Sequence, residues 1–190
     1  MKAKDPKKER ALFDAALVVA DREGLEALTV QKVARQAGLA VGTLYVYFDG
    51  KEDLLRRLYL RTKAAAGDRM LEGYCPGLPF RQAFRRICHN QFEFLVEHRL
   101  EVGFQAKFYR SGFADDQTRA LARTYTEAVE ALVLRGQEEE LVRPWEPGLV
   151  LRFVLAVLKE AAADAGSLSP EARAVLADQA ADFCLAGLSP

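Results

Sequence analysis

The sequence predicts an all-α protein, and three observations carry that expectation. Ala, Leu, Arg and Glu, all strong helix formers, supply 90 of the 190 residues. The β-branched residues Val, Thr and Ile number only 22 together, too few to build a large sheet. Apolar residues recur at i, i+3, i+4 and i+7 in one segment after another, which is the period of an amphipathic helix. Half of the residues are hydrophobic, enough for a packed core and too many for a disordered chain. About nine helices are expected, in one domain or two small ones.

From Pro6 to Glu23, Phe13, Ala16, Leu17 and Ala20 mark one helical face, and Gly24 follows as a stop. Thr29 is placed to cap a second, short helix that carries Val30, Val33 and Ala34 and ends at Ala37-Gly38. A third short helix follows Leu39 and runs from Val41 to Phe48. Two short helices joined by a tight Gly-containing turn fit a helix-turn-helix, and they also fit an ordinary corner of a helical core. Leu44 and Phe48, four apart, share a buried face, which turns Val41, Gly42, Thr43, Tyr45 and Tyr47 outward. Such a face suits DNA. Gly42 lets backbone approach a groove, Thr43 can bond a base edge or phosphate, and Val41 can touch a thymine methyl. Tyr45 and Tyr47 can donate O–H to phosphates; the alternative is that they pack against neighbouring helices.

On these residues residues 10–55 resemble the DNA-binding head of the TetR family of bacterial transcriptional regulators. The resemblance rests on Arg10-Ala11-Leu12, Ala15-Ala16, Gly24, Thr29-Val30, Val33-Ala34, Ala37-Gly38, Gly42-Thr43-Leu44-Tyr45, Tyr47-Phe48 and Lys51-Glu52-Asp53-Leu54-Leu55. It implies phosphate contacts at Thr29, Tyr45, Tyr47 and Lys51, and positions facing the major groove at Gln31, Val41, Gly42 and Thr43. It further implies a helix-turn-helix domain over residues 1–50 and a helical effector-binding and dimerisation domain over residues 51–190. The expected function is a one-component repressor on a palindromic operator, switched by a small molecule. Two positions depart from the family's habit. Ala40 stands where Ser often caps the recognition helix, a loss of ~1 kcal/mol. Val41 stands where Lys, Arg or a polar residue is common, which favours methyl-dependent discrimination over arginine-to-guanine reading.

Longer helices follow. One runs from Lys51 towards Leu71, and Gly73 to Pro79 (GYCPGLP) reads as a loop. The next runs from Phe80 to His98. Within about 60° of Phe84 on its helical wheel lie Phe80, Ile87, Cys88, Gln91, Leu95 and His98. Gln91 and His98 are thus polar points on an apolar stripe, as in a ligand cavity; His98 could equally cap the helix C-terminus. Phe92 stands at the stripe's edge. Residues 99–114 form a short helix and loop containing Phe104 and Phe108. A single long helix is expected over residues 115–140, with Leu121, Tyr125, Val129 and Leu132 on one face and the Tyr125 hydroxyl among them. The expected effector-binding set is Phe84, Cys88, Gln91, Phe92, His98, Phe104, Phe108 and Tyr125, for an apolar or acyl-type compound. The last helices, Pro147 to Ala165 and Pro170 to Gly187, carry wide apolar stripes, and the resemblance implies a homodimer through residues 147–187.

Composition narrows the alternatives. Lys+Arg and Asp+Glu are both 27, yet residues 1–66 hold 13 against 9 and residues 67–190 hold 14 against 18. A basic head on an acidic body suits approach to DNA by one end. Cys75, Cys88 and Cys184 are scattered and show no metal-ligand spacing, so no metal site, cofactor or disulfide framework is expected. There is no nucleophile–base spacing, phosphate-binding glycine loop or paired carboxylate in an apolar context, so no catalytic residue is expected. A helical adaptor without DNA contact would have no use for an exposed Gly42-Thr43-Tyr45-Tyr47 set. No apolar run approaches the ~20 residues of a membrane span, and the basic N-terminal stretch lacks the apolar region of a signal peptide. A cytoplasmic location is expected.

Overall fold

In the computed structural model, residues 4–190 are described; residues 1–3, where the basic N-terminal stretch read above begins, lie outside the described residues. Among the described residues there are ten α-helices and one short 3-10 turn. They are α1 (Pro6–Ala27), α2 (Val30–Gln36), α3 (Val41–Tyr47), α4 (Lys51–Met70), α5 (Phe80–Glu97), α6 (Arg99–Tyr109), α7 (Asp116–Thr124), α8 (Glu127–Glu138), α9 (Pro147–Ala162) and α10 (Pro170–Leu188). The all-α expectation holds. No helix among the described residues is long and apolar enough to cross a membrane.

Several helices start for one reason. Asp5-Pro6, Glu146-Pro147 and Ser169-Pro170 each place a capping oxygen before a proline, whose missing N–H is no loss in the first turn. Asp5 accepts from Lys7 N at 2.9 Å, Glu146 from Gly148 N at 2.8 Å, and Ser169 from Ala172 N at 3.3 Å. Gly24 interrupts α1 with φ 81° and ψ 168°, a region essentially restricted to glycine.

The chain forms two compact units. The first holds the residues up to Lys63 together with Arg99–Ala122; the second holds Ala64–His98 and Arg123–Pro190. The division therefore does not fall at residue 50, because the first turns of α4 and the segment from 99 to 122 complete the head's own core. Leu12, Ala16, Val33, Leu44, Leu54, Leu55 and Phe108 are fully buried in it. Phe108 stacks on Tyr59 with ring centroids 4.6 Å apart, and Phe104 lies beside Phe108 at 5.9 Å. Lys107 ties α6 to the Ala20 carbonyl of α1 at 3.1 Å.

In the second unit α5 packs against α8, α9 and α10. Phe80, Phe84, Ile87, Cys88, Phe92, Phe94 and Leu95 are all buried along it. A polar seam joins α5 to α10: Arg85 pairs with Asp178 and Asp182, His89 Nε2 lies 2.8 Å from Asp178, and Arg173 pairs with Glu93 at 3.5 Å. The long helix expected over residues 115–140 is two helices, which is why the count is ten. Thr124, Tyr125 and Thr126, all modest helix formers, fall in succession. The Thr126 hydroxyl donates to the Arg123 carbonyl at 2.8 Å and the Thr126 amide donates to the same oxygen, closing a turn in place of a continued helix.

Gly136 on α8 has no room for a side chain, since an added Cβ would lie 2.5 Å from the Phe80 ring and 2.8 Å from Val142. Replacing Gly136 with Ala is expected to destabilise the protein by ~1–3 kcal/mol in urea unfolding, the usual range for overpacking, despite alanine's higher helix propensity.

Candidate nucleic-acid interface

The head positions its functional side chains through α2 and α3. Thr29 is the N-cap of α2; its hydroxyl oxygen accepts from Lys32 N at 3.3 Å, which leaves its own proton for a phosphate. Gln31 is exposed on the first turn. The link to α3 turns at Gly38 (φ 67°), and the Leu39 amide closes on Ala34 O at 2.9 Å. Ala40 begins α3 with no side-chain cap.

Helix α3 is held by its inner face. Leu44 and Phe48 are buried as expected, and the Phe13 ring meets Phe48 edge-on at 5.1 Å. The structure corrects the placement of Tyr47. It is 5 % exposed, three residues after Leu44 and so on the same side of the helix, and its hydroxyl accepts from the Asp5 amide at 2.9 Å. Tyr47 therefore couples α3 to the start of α1 instead of standing beside Tyr45. The outward face is Gly42, Tyr45 and Val46, at i, i+3 and i+4, with Tyr45 54 % and Val46 55 % exposed. Thr43 is half-buried, and Val41 is partly packed on the head core.

Two further residues shape the site and went unread in the sequence. Arg57 donates to the Tyr47 carbonyl at 2.7 Å, pairs with Glu9 and lies over the Phe48 ring at 4.7 Å, so it satisfies the C-terminal end of α3. Its signal was the charged i, i+4 spacing to Asp53, 3.9 Å away. Asp5 had its signal in Asp5-Pro6. Lys51 Nζ donates to the Glu26 carbonyl at 2.9 Å and sits over the Phe113 ring, leaving further N–H donors for a phosphate. Beside it lies a recess lined by Glu26, Glu52, Arg56, Phe113 and Asp115, in which three carboxylates face one guanidinium. The Asp115 carboxyl is held below its usual range by hydrogen bonds from Thr118 and then by Arg56.

Gly42 lies exposed on α3. Its φ is not positive, and an added Cβ would meet nothing within 4 Å. Neither backbone strain nor internal packing requires glycine there, although glycine weakens a helix by ~0.5–1 kcal/mol relative to Ala. Gly103 in α6 and Gly187 in α10 are equally unconstrained, so what distinguishes Gly42 is its place on the outward face of α3.

Six of the candidate effector residues belong to the second unit. Phe84, Cys88 and Phe92 are buried, Gln91 and Tyr125 are half-buried, and His98 stacks on Phe94 at 4.5 Å as the C-cap of α5. Burial raises the Cys88 thiol strongly and pushes that of Cys184 up to about 11, so both act as small apolar groups and not as nucleophiles. Phe104 and Phe108 are not with them, being core residues of the first unit. Among the described residues, no group of three His, Cys, Asp or Glu side chains could hold a metal ion.

Helices α2 and α3, joined through the turn at Gly38, form a helix-turn-helix, the arrangement that DNA-binding heads use. Residues 12–58, about a quarter of the chain, match the family described as bacterial regulatory proteins, tetR family. The chain is 26 % identical over 163 residues to the fatty acid metabolism regulator protein of Bacillus subtilis, covering 84 % of each chain. Its fold is similar to that of a TetR family transcription regulator from Marinobacter aquaeolei, with a TM-score of 0.84, 22 % identity, and 96 % and 97 % of the two chains covered. It is also similar to the regulator FadR from Bacillus subtilis in complex with stearoyl-CoA, with a TM-score of 0.71, 21 % identity, and 94 % and 98 % covered.

Replacing Gly42 with Ala is expected to separate stability from function. Thermal unfolding should show a stabilised head, by ~0.5–1 kcal/mol. Fluorescence anisotropy on operator DNA should show affinity falling by roughly tenfold, the equivalent of ~1.4 kcal/mol.

Proposed function

We propose that the protein is a cytoplasmic repressor that binds a near-palindromic operator as a homodimer and leaves it on binding a long-chain acyl-type effector. The likeness to a fatty acid metabolism regulator over 84 % of both chains carries the effector class, and the similarity in fold to a regulator in complex with stearoyl-CoA supports it. On this reading the buried Phe84, Cys88 and Phe92 of α5 would supply the apolar walls for an acyl chain, and Gln91, His98 and Tyr125 the few polar groups that fix orientation. In the head, Thr29, Tyr45 and Lys51 contact phosphate, and Gln31, Val41, Gly42 and Thr43 face the groove.

The effector works by differential affinity. A ligand that binds the DNA-free conformation more tightly shifts the population away from DNA, and one that binds both forms equally shifts nothing. Titrating the full-length protein onto its upstream DNA should give salt-dependent, sequence-preferring binding. Stearoyl-CoA, but not coenzyme A, is expected to weaken that binding. Equal binding with either compound removes the acyl-type reading.

The dimer rests on an uncovered stripe. Ala172, Val175, Gln179, Phe183 and Ala186 follow helical spacing on α10 and are all exposed, Phe183 at 69 % and Val175 at 57 %. On α9, Phe153 is 50 % exposed. Apolar side chains exposed in a continuous stripe mark an association surface, and a two-fold axis pairs two heads with two half-sites. Light scattering at micromolar concentration is expected to give twice the 21.1 kDa chain mass. Replacing Phe183 with Glu should halve it, and a wild-type mass equal to one chain would remove the dimer.

A further inference from the structure

Val46 is an apolar, β-branched residue left 55 % exposed on a seven-residue helix, where it adds nothing to the head core. Alanine would make a better helix there. Its neighbours on the outward face are Tyr45 and, one turn earlier, Gly42, whose open side lets the backbone come close to a partner. The helix reads VGTLYVY and carries no charged or amide side chain. It cannot make the bidentate contacts by which Arg or Lys reads guanine and Asn or Gln reads adenine. The one base-edge feature an isopropyl group recognises in the major groove is the C5-methyl of thymine. Val41, the other valine of α3, is partly committed to the core.

We propose that Val46 is a specificity-determining residue that reads a 5-methylpyrimidine in each operator half-site, so that a methyl group and not a hydrogen bond selects thymine at that position. The inference rests on the assignment of the chain as a DNA-binding regulator. Uracil keeps thymine's pairing and every hydrogen-bonding group but lacks the methyl. 5-Methylcytosine restores the methyl on a different base pair.

The test begins with selection of duplexes from a random pool by the full-length protein. Each thymine of the enriched site is then replaced by uracil. One position per half-site should show weakening of about three- to fivefold, the worth of one buried methyl, and roughly tenfold or more when both half-sites are changed. At that position 5-methylcytosine should bind more tightly than cytosine. The V46A variant should bind the thymine and uracil duplexes alike, and because alanine favours the helix, that result cannot come from a weakened α3. Uracil without effect at every position overturns the proposal, as does V46A losing the same factor on both duplexes. A pool that yields no enriched sequence overturns the sequence-specific regulator itself, and this inference with it.

Discussion

A seven-residue helix with no side-chain cap does not persist alone in water, because the first hydrogen-bonded turn fixes more backbone freedom than one bond offsets. α3 exists because Leu44, Tyr47 and Phe48 are buried beneath it, at 5 % exposure or less. Its last residue, Tyr47, is then tied to other elements twice. At the inner face the Tyr47 hydroxyl takes the Asp5 amide, and at the C-terminus Arg57 takes the Tyr47 carbonyl while pairing with Glu9 of α1. Everything α3 presents outward depends on that seating. A face built from Gly42, Tyr45 and Val46 contributes little to the stability of α3, so the burial behind it must hold its geometry.

Much of this was legible because the signals were local. Proline after a capping oxygen marked helix starts, Leu44 and Phe48 marked a buried face, and Gly24 and Gly38 marked turns through positive φ. What escaped depended on partners distant in sequence. A tyrosine three residues after a buried leucine can serve core or surface, and only Asp5, forty-two residues away, decides for Tyr47. Phe104 and Phe108 read as aromatics of an effector site, because periodicity gives a face without naming what it packs against; the partner is Tyr59 in the head. The break near Tyr125 carries neither glycine nor proline. Its causes are a hydroxyl competing for a backbone carbonyl and the close packing of Gly67, where an added Cβ would lie 3.1 Å from the Tyr125 carbonyl.

The division into units bears on regulation. The chain passes between them three times, after Lys63, His98 and Ala122. α6 and α7 enter the head's core although they follow α5 in sequence, and α4 begins in one unit and ends in the other. The head is therefore not a detachable cap on residues 1–50. Any effector that changes α6 acts on a helix bonded directly to α1 through Lys107, and so on the body that seats α3. Coupling requires only that two packings of these helices differ in their affinity for the effector.

Affinity and specificity draw on different residues. The formal charge of the whole chain is zero, and α3 itself carries no charge. Attraction to phosphate must come from the flanks, where Lys7, Lys8, Arg10 and Arg35 are exposed and Lys51 keeps donors to spare. Such contacts set position and register but carry no sequence information. An uncharged α3 then adds discrimination without adding nonspecific attraction. Where the electrostatic attraction is modest, apolar and hydroxyl contacts form a larger share of the difference between operator and background. Under the proposed reading Gly42 fits the same logic, since glycine gives up helix stability on the outward face of α3, where a close approach of backbone to the groove would let small side chains reach a base edge.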